Sequence, residues 1–144
     1  MVAGNGALVV NNEPQAIPGD GPRLFSPLVS GLLATDPAYT PYGVEKFEWD
    51  PEADDLRVAW VNTEVSSPNA IPLVSTQSNL VYAVGVRDGK WSLEALDWKT
   101  GEEAFHWVLN GSRTNAYYAA IELDPDGNIT YGTLLGRLRL VPED

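Results

Sequence analysis

Apolar and polar positions alternate along most of this chain with the two-residue period of β-strands, and helical spacing is nearly absent. "GALVV" (Gly6–Val10) is a short β-branched run followed by Asn11-Asn12. "LVYAVGV" (Leu80–Val86) and "KWSLEALDW" (Lys90–Trp98) flank Arg87-Asp88-Gly89. Asp-Gly between apolar runs predicts a tight hairpin, because Gly accepts the positive φ of a primed turn. The same dipeptide, Asp126-Gly127, separates Ala119–Leu123 from Ile129–Leu134 and predicts a second hairpin of that kind. "VEKFEWDPEADDLRVAWV" and "LEALDWKTGEEAFHWV" predict two more, with longer polar turns.

The stretch from Asn11 to Gly43 breaks the pattern. It holds Pro14, Pro18, Pro22, Pro27, Pro37 and Pro41, more than half of the chain's 11 prolines. Proline lacks the donor that a central strand needs, so 11–43 is predicted to be a loop excursion. Within it, Ser26 as N-cap, Pro27 at the first helical position and the Leu28/Leu32 spacing predict a short helix over Pro27–Ala34.

Two segments read alike. "FEWDPEADDLRVAWV" (Phe47–Val61) and "EALDWKTGEEAFHWV" (Glu94–Val108) align at an offset of 47, matching Asp50 with Asp97, Trp60 with Trp107 and Val61 with Val108. Pro68-Asn69 then approaches Thr114-Asn115 at an offset of 46, and Val81-Tyr82 approaches Thr130-Tyr131 at 49. A period in the forties built from short antiparallel strands points to the four-stranded blade of a β-propeller. In each segment the Asp is expected to accept hydrogen bonds from N–H groups of its own turn, and the Trp to cover the next sheet.

"ALDWKTGEEAFHW" (Ala95–Trp107) resembles the repeat of the PQQ-like, or quinoprotein-type, β-propeller family, through Ala95, Leu96, Asp97, Thr100 and Gly101. The family's docking Trp usually follows the Gly by four residues; Phe105 stands there, with Trp107 two later, and the earlier segment lacks Thr-Gly. "DGNITYGTLLGRLRL" (Asp126–Leu140) also resembles the inner-strand hairpin of such blades, so the resemblance covers Val44–Leu140. It implies an all-β fold of antiparallel four-stranded blades, with a compact β-sandwich as the alternative at this length.

With strands labelled A to D outward from the axis, Gly6–Val10, Val44–Asp50 and Leu56–Val61 are B, C and D of a first blade. A second runs from Ala70 to Val108, and a third begins at Tyr117 and stops after its third strand near Leu140. Closed propellers have about four to eight blades. The expectation is therefore a single all-β domain over 1–144 that forms the carboxy-terminal part of a larger propeller. Its open edges need the remaining blades or an oligomer to cover them.

Composition narrows the partners. The 144 residues are 44% hydrophobic and 20% charged, enough for one domain with a core. Nine cationic residues against twenty acidic ones, a net charge of −11, argue against a nucleic-acid partner. No apolar run approaches the ~20 residues of a membrane span, and "MVAGNGALVV" lacks the basic segment of a signal peptide. Members of the resembled family are often extracytoplasmic, and the sequence itself leaves the compartment open. Without Cys there is neither disulfide nor thiolate chemistry.

Sorting the loops by propeller layout places Asp50, Glu52, Asp54, Asp55, Asp97, Glu102, Glu103, Asp124 and Asp126 at one end, opposed by Lys99. Arg23, Arg87, Arg113 and Arg137 fall at the other end. That second end is the expected binding end, because loops on a rigid scaffold carry recognition. Arg113 and Arg87 are the expected anchors for a carboxylate or other small anionic or polar ligand, with Asn69, Asn115 and Tyr117 adding hydrogen bonds. The competing reading has these arginines pairing with nearby acids.

No catalytic residue is evident. His106, the only histidine, lies in a strand between Phe105 and Trp107, and alternation puts it on the face opposite those aromatics. "DPDGN" (Asp124–Asn128) lacks the further ligands of a calcium loop and reads as a hairpin turn. No cofactor site is evident either. The expected function is a non-catalytic propeller segment that serves as a scaffold or as a module binding a ligand or protein. The alternative is a fragment of a PQQ-dependent dehydrogenase, which would hold the quinone on an aromatic floor with calcium.

Overall fold

A computed structural model describes residues 2–3, 6–10, 43–65, 67, 70–116, 119–133 and 136–142. Their regular elements are antiparallel strands and one 3-10 turn, Ser112–Thr114. Strands β1 (Val2–Ala3), β2 (Gly6–Val10), β3 (Val44–Asp50) and β4 (Asp55–Asn62) form one sheet in chain order. A second sheet joins β5 (Leu73–Ser75), β6 (Leu80–Arg87), β7 (Lys90–Asp97) and β8 (Glu103–Val108), again in order. The third has β9 (Ile121–Leu123), β10 (Ile129–Thr133) and β11 (Gly136–Leu140). Each sheet is a meander, and none closes on itself. No helix among the described residues is long and apolar enough to cross a membrane.

Turn chemistry sets the registers. Asp88 (φ 49°) and Gly89 (φ 69°) both take positive φ between the paired residues Arg87 and Lys90, giving the primed two-residue hairpin that Asp-Gly predicts. Asp126-Gly127 departs from that expectation. Pro125 holds its own φ negative, so the chain makes an ordinary turn closed by Gly127 N–H on the Asp124 carbonyl at 3.0 Å. Gly127 alone is left-handed, at φ 83°, and Asp124 N–H donates to the Asn128 carbonyl at 3.0 Å. The result is a hairpin loop with a glycine bulge.

Three other turns share one design. Asp50, Ser75 and Asp97 each begin a turn whose fifth residue is left-handed: Asp54 (φ 53°), Asn79 (φ 57°) and Gly101 (φ 74°). Asp50 Oδ1 accepts the N–H groups of Glu52 and Ala53 at 3.0 and 3.3 Å. Asp97 Oδ1 accepts those of Lys99 and Thr100 at 2.8 and 2.9 Å. The 47-residue offset thus superposes the same turn, with Asp54 standing where Gly101 stands.

The two central strands of the middle sheet, β6 and β7, are buried on both faces. Tyr82, Val84, Val86, Trp91, Leu93 and Ala95 pack against Ile121, Ile129 and Tyr131 of the third sheet. Val81 and Leu96, of opposite parity, pack against Val44, Trp60 and Val65 on the first-sheet side. The hairpin registers Arg87↔Lys90 and Thr133↔Gly136 align the second and third sheets at 46 residues. This corrects the offset of 49 that matches Tyr82 with Tyr131. A shift of three reverses the faces, and Tyr82 indeed points toward the following sheet while Tyr131 points toward the preceding one.

Except for Gly43, the Pro-rich stretch 11–43 lies outside the described residues, and with it the expected helix Pro27–Ala34.

Candidate functional site

The best-defined polar arrangement grows from Arg87, at the end of β6. Residues 81, 83, 85 and 87 of β6 share a face with 92, 94 and 96 of β7, and Ala83 and Gly85 are small. The guanidinium therefore runs back along the sheet to Glu94, which is fully buried. Arg87 Nε donates to both Glu94 oxygens at 3.0 Å, and Nη2 donates to Oε2 at 2.8 Å. Ser92 Oγ, also buried, donates to Glu94 Oε1. Arg87 Nη2 further donates to Glu103, whose other oxygen lies 2.6 Å from His106 Nδ1.

The electrostatics follow. The hydrogen bonds to Glu94 hold the Arg87 pKa above its usual value. Glu103 is held below the usual carboxylate range, first by His106 and then by Arg87. A buried carboxylate bound by a forked guanidinium and a hydroxyl is satisfied and positioned. Ser92 is sealed from solvent, and His106 bonds to a carboxylate rather than to a hydroxyl, so the chain Ser92–Glu94–Arg87–Glu103–His106 contains no activated nucleophile. It ties β6, β7 and β8 of the middle sheet together.

Two of the expected ligand residues besides Arg87 can be located. Arg113 is exposed in the 3-10 turn, and Asn115 is buried just after it. This connection follows β8 at the same end of the sheet as the Arg87 hairpin. It is fixed by Leu109 N–H on the Trp91 carbonyl at 2.7 Å and by the Tyr131 hydroxyl, which donates to the Thr114 carbonyl at 2.8 Å. Burial holds the Tyr131 phenol above its usual pKa. Asn69 and Tyr117 lie outside the described residues. The structure brings Arg87 to Glu94 and Glu103 and leaves Arg113 facing solvent.

Glu94 and Ser92 are not among the expected site residues, although the sequence carries a signal for them. With Arg87 and Lys90 paired across Asp88-Gly89, parity places Arg87 and Glu94 on one face, and a Glu inside an apolar strand requires a cation.

Sheet-to-sheet docking is the second well-defined site. Trp60 of β4 is buried, and its Nε1 donates to the Trp98 carbonyl at 3.0 Å. A Cβ on Gly101 would sit 2.5 Å from the Trp60 ring, so both the left-handed φ and the close approach demand glycine there. Asn62 Nδ2 donates to the Gly101 carbonyl at 2.8 Å. Asn79 Nδ2 reaches Asp97 Oδ2 at 3.0 Å, tying the two turns of the middle sheet together. Lys46 lies buried in this contact, with its ammonium 4.3 Å from the Trp98 ring centre and 2.8 Å from Glu48 Oε1.

His106 is found opposite Phe105 and Trp107, as alternation requires: it pairs with Glu94, while Phe105 packs on the core shared with the third sheet. Among the described residues no group of three His, Asp or Glu side chains is arranged to hold a metal ion. Asp50, Asp97 and Asp124 each accept N–H groups of their own turns.

No family model matches the chain, and no solved structure does. The chain is 47% identical over 116 residues to an uncharacterized protein of Archaeoglobus fulgidus, a match covering 80% of this chain and 23% of that protein. The chain thus spans about a quarter of the relative's length.

Proposed function

We propose that the chain is a run of successive propeller blades acting as a non-catalytic scaffold or binding module. The Trp60–Gly101 contact carries this reading: an outer-strand Trp of one sheet docks on the left-handed glycine of the next sheet's outer turn. The parallel bridge between Ile71 and Ala120, beside the innermost strands of the second and third sheets, supports it as well. Inner strands of neighbouring blades run in one direction around a propeller axis.

Recognition in this reading falls to the connections at the Arg113 end, with a small anionic or polar ligand or a protein segment as partner. Arg113 is exposed and has no ion pair among the described residues, so its guanidinium fork is the one offered to a ligand. Arg87 acts behind it by bracing the sheet, since its donors already serve Glu94 and Glu103.

Titration with pyrroloquinoline quinone and calcium, followed by a dye-linked dehydrogenase assay, tests the non-catalytic part. Absence of turnover is the expected result, and saturable turnover overturns the reading. Titration with small dicarboxylates, compared between the wild type and Arg113→Ala, tests the ligand site. Equal affinity for both would remove Arg113 from it.

A further inference from the structure

The connection from β8 to the 3-10 turn is held at both flanks and loose between them. Leu109 is buried, with its N–H on the Trp91 carbonyl at 2.7 Å. Two residues on, the Gly111 carbonyl accepts the Thr114 N–H at 3.3 Å and the Thr114 hydroxyl at 2.8 Å. Between these anchors Asn110 and the Gly111 amide are exposed. Among the described residues neither the Asn110 side chain nor the Gly111 N–H has a hydrogen-bond partner. Gly111 takes φ 103° and ψ 149°, a conformation open essentially to glycine alone, yet a Cβ there would meet nothing within 4 Å. The backbone, rather than packing, requires this glycine.

Asparagine is thermolabile, and its reaction is limited by how closely the next residue's backbone nitrogen can approach the side-chain amide carbon. A following glycine leaves that approach unhindered. Asn62, Asn79 and Asn128 are placed differently. Their Nδ2 atoms donate to the Gly101 carbonyl, Asp97 and Asp124 at 2.8, 3.0 and 2.7 Å, which holds each amide in place. They are followed by Thr63, Leu80 and Ile129, whose side chains obstruct the nitrogen.

We propose that Asn110-Gly111 is a self-modification site, which converts the Asn110 amide to a carboxylate in the connection that carries Arg113. Solvent hydroxide takes the Gly111 amide proton, and the nitrogen attacks Asn110 Cγ. The new N–Cγ bond closes a five-membered succinimide as the Cγ–Nδ2 bond breaks, and ammonia leaves with a proton from water. Water then opens the ring. Cleavage of the N–Cγ bond gives aspartate with the backbone restored. Cleavage between that nitrogen and the Asn110 carbonyl carbon gives isoaspartate, with the main chain running through Cβ and Cγ. Water is the only co-reactant. The new charge opposes an anionic ligand at Arg113; that consequence rests on the proposed ligand end, and the conversion itself does not.

The full chain is incubated in mildly alkaline buffer beside the synthetic peptide Leu-Asn-Gly-Ser-Arg, and both are followed by peptide mass mapping and isoaspartyl methyltransferase labelling. Asn110 should lose its amide at a rate comparable with the peptide's and form isoaspartate. Asn62, Asn79 and Asn128 should keep their amides, and Asn110→Gln should show no isoaspartate at that position. Retention of the Asn110 amide after the peptide has converted would overturn the proposal, as would equal conversion of all four asparagines. In dicarboxylate titrations Asn110→Asp should bind severalfold more weakly than the wild type. Full affinity in Asn110→Asp, with a loss in Arg113→Ala, would overturn the charge effect. Equal affinity in the wild type and Arg113→Ala would overturn the ligand end and not the conversion, which the mass map decides by itself.

Discussion

At the residue scale, a single glycine decides how two sheets meet. Gly101 is left-handed and lies under the Trp60 ring, so Gly101→Ala combines a strained backbone with a clash at 2.5 Å. The variant should lose about 2–4 kcal/mol in urea unfolding. Trp60→Ala should cost about 3–5 kcal/mol. Trp107→Ala, at the same repeat position but far more exposed, should cost well under half of that. Equal losses for the two tryptophans would contradict the docking assignment. Asp97 gives a pH signature. The Thr100 and Lys99 N–H groups and the Asn79 amide lower its folded pKa, so its contribution is present above the usual carboxylate range and is lost as pH falls through the folded pKa. Asp97→Asn should make the acid limb of a stability–pH curve shallower, while Asp97→Ala should also lower stability at neutral pH. An unchanged acid limb in the Asn variant would refute the assignment.

At the element scale, the middle sheet holds an ion pair whose carboxylate, Glu94, is fully buried. Removing the cation alone leaves Glu94 uncompensated, so Arg87→Met should cost about 3–5 kcal/mol. The triple change Arg87→Met/Glu94→Leu/Ser92→Ala should recover most of that loss, because the surrounding face is otherwise apolar. A double-mutant cycle on Arg87 and Glu94 checks the coupling, and additive losses would show that the pair is not a unit. Strands and turns at this scale were largely legible. Asp88-Gly89 announced its hairpin, and Asp50 and Asp97 announced the repeated turn, because backbone demands for positive φ and local caps leave a direct mark on the sequence. Asp126-Gly127 misled because Pro125, one position earlier, imposes a different turn. The three-residue strand β5 and the two-residue β1 were not legible, since so few residues carry no periodicity.

At the scale of the whole molecule, three meanders stack with the middle one buried on both sides, which explains why its strands read as nearly continuous apolar runs. The outer sheets differ. Trp49, Leu56, Val58 and Val61 leave an exposed apolar face on the first, whereas Arg137 and Arg139 make the outer face of the third polar. The candidate binding site was less legible than the fold. Arg87 and Arg113 look equivalent as letters in loops, yet one is committed to Glu94 and the other is exposed; only strand register distinguishes them. The chain's lack of cysteine allows a direct test of the central claim that these sheets are blades fanning from an axis. Cysteine pairs carrying spin labels can be placed at Ile71 and Ala120, beside the innermost strands, and at Ala104 and Arg139, on β8 and β11. Blades predict a short inner distance and a clearly longer outer one; equal distances, as in two sheets packed face to face, would contradict the account.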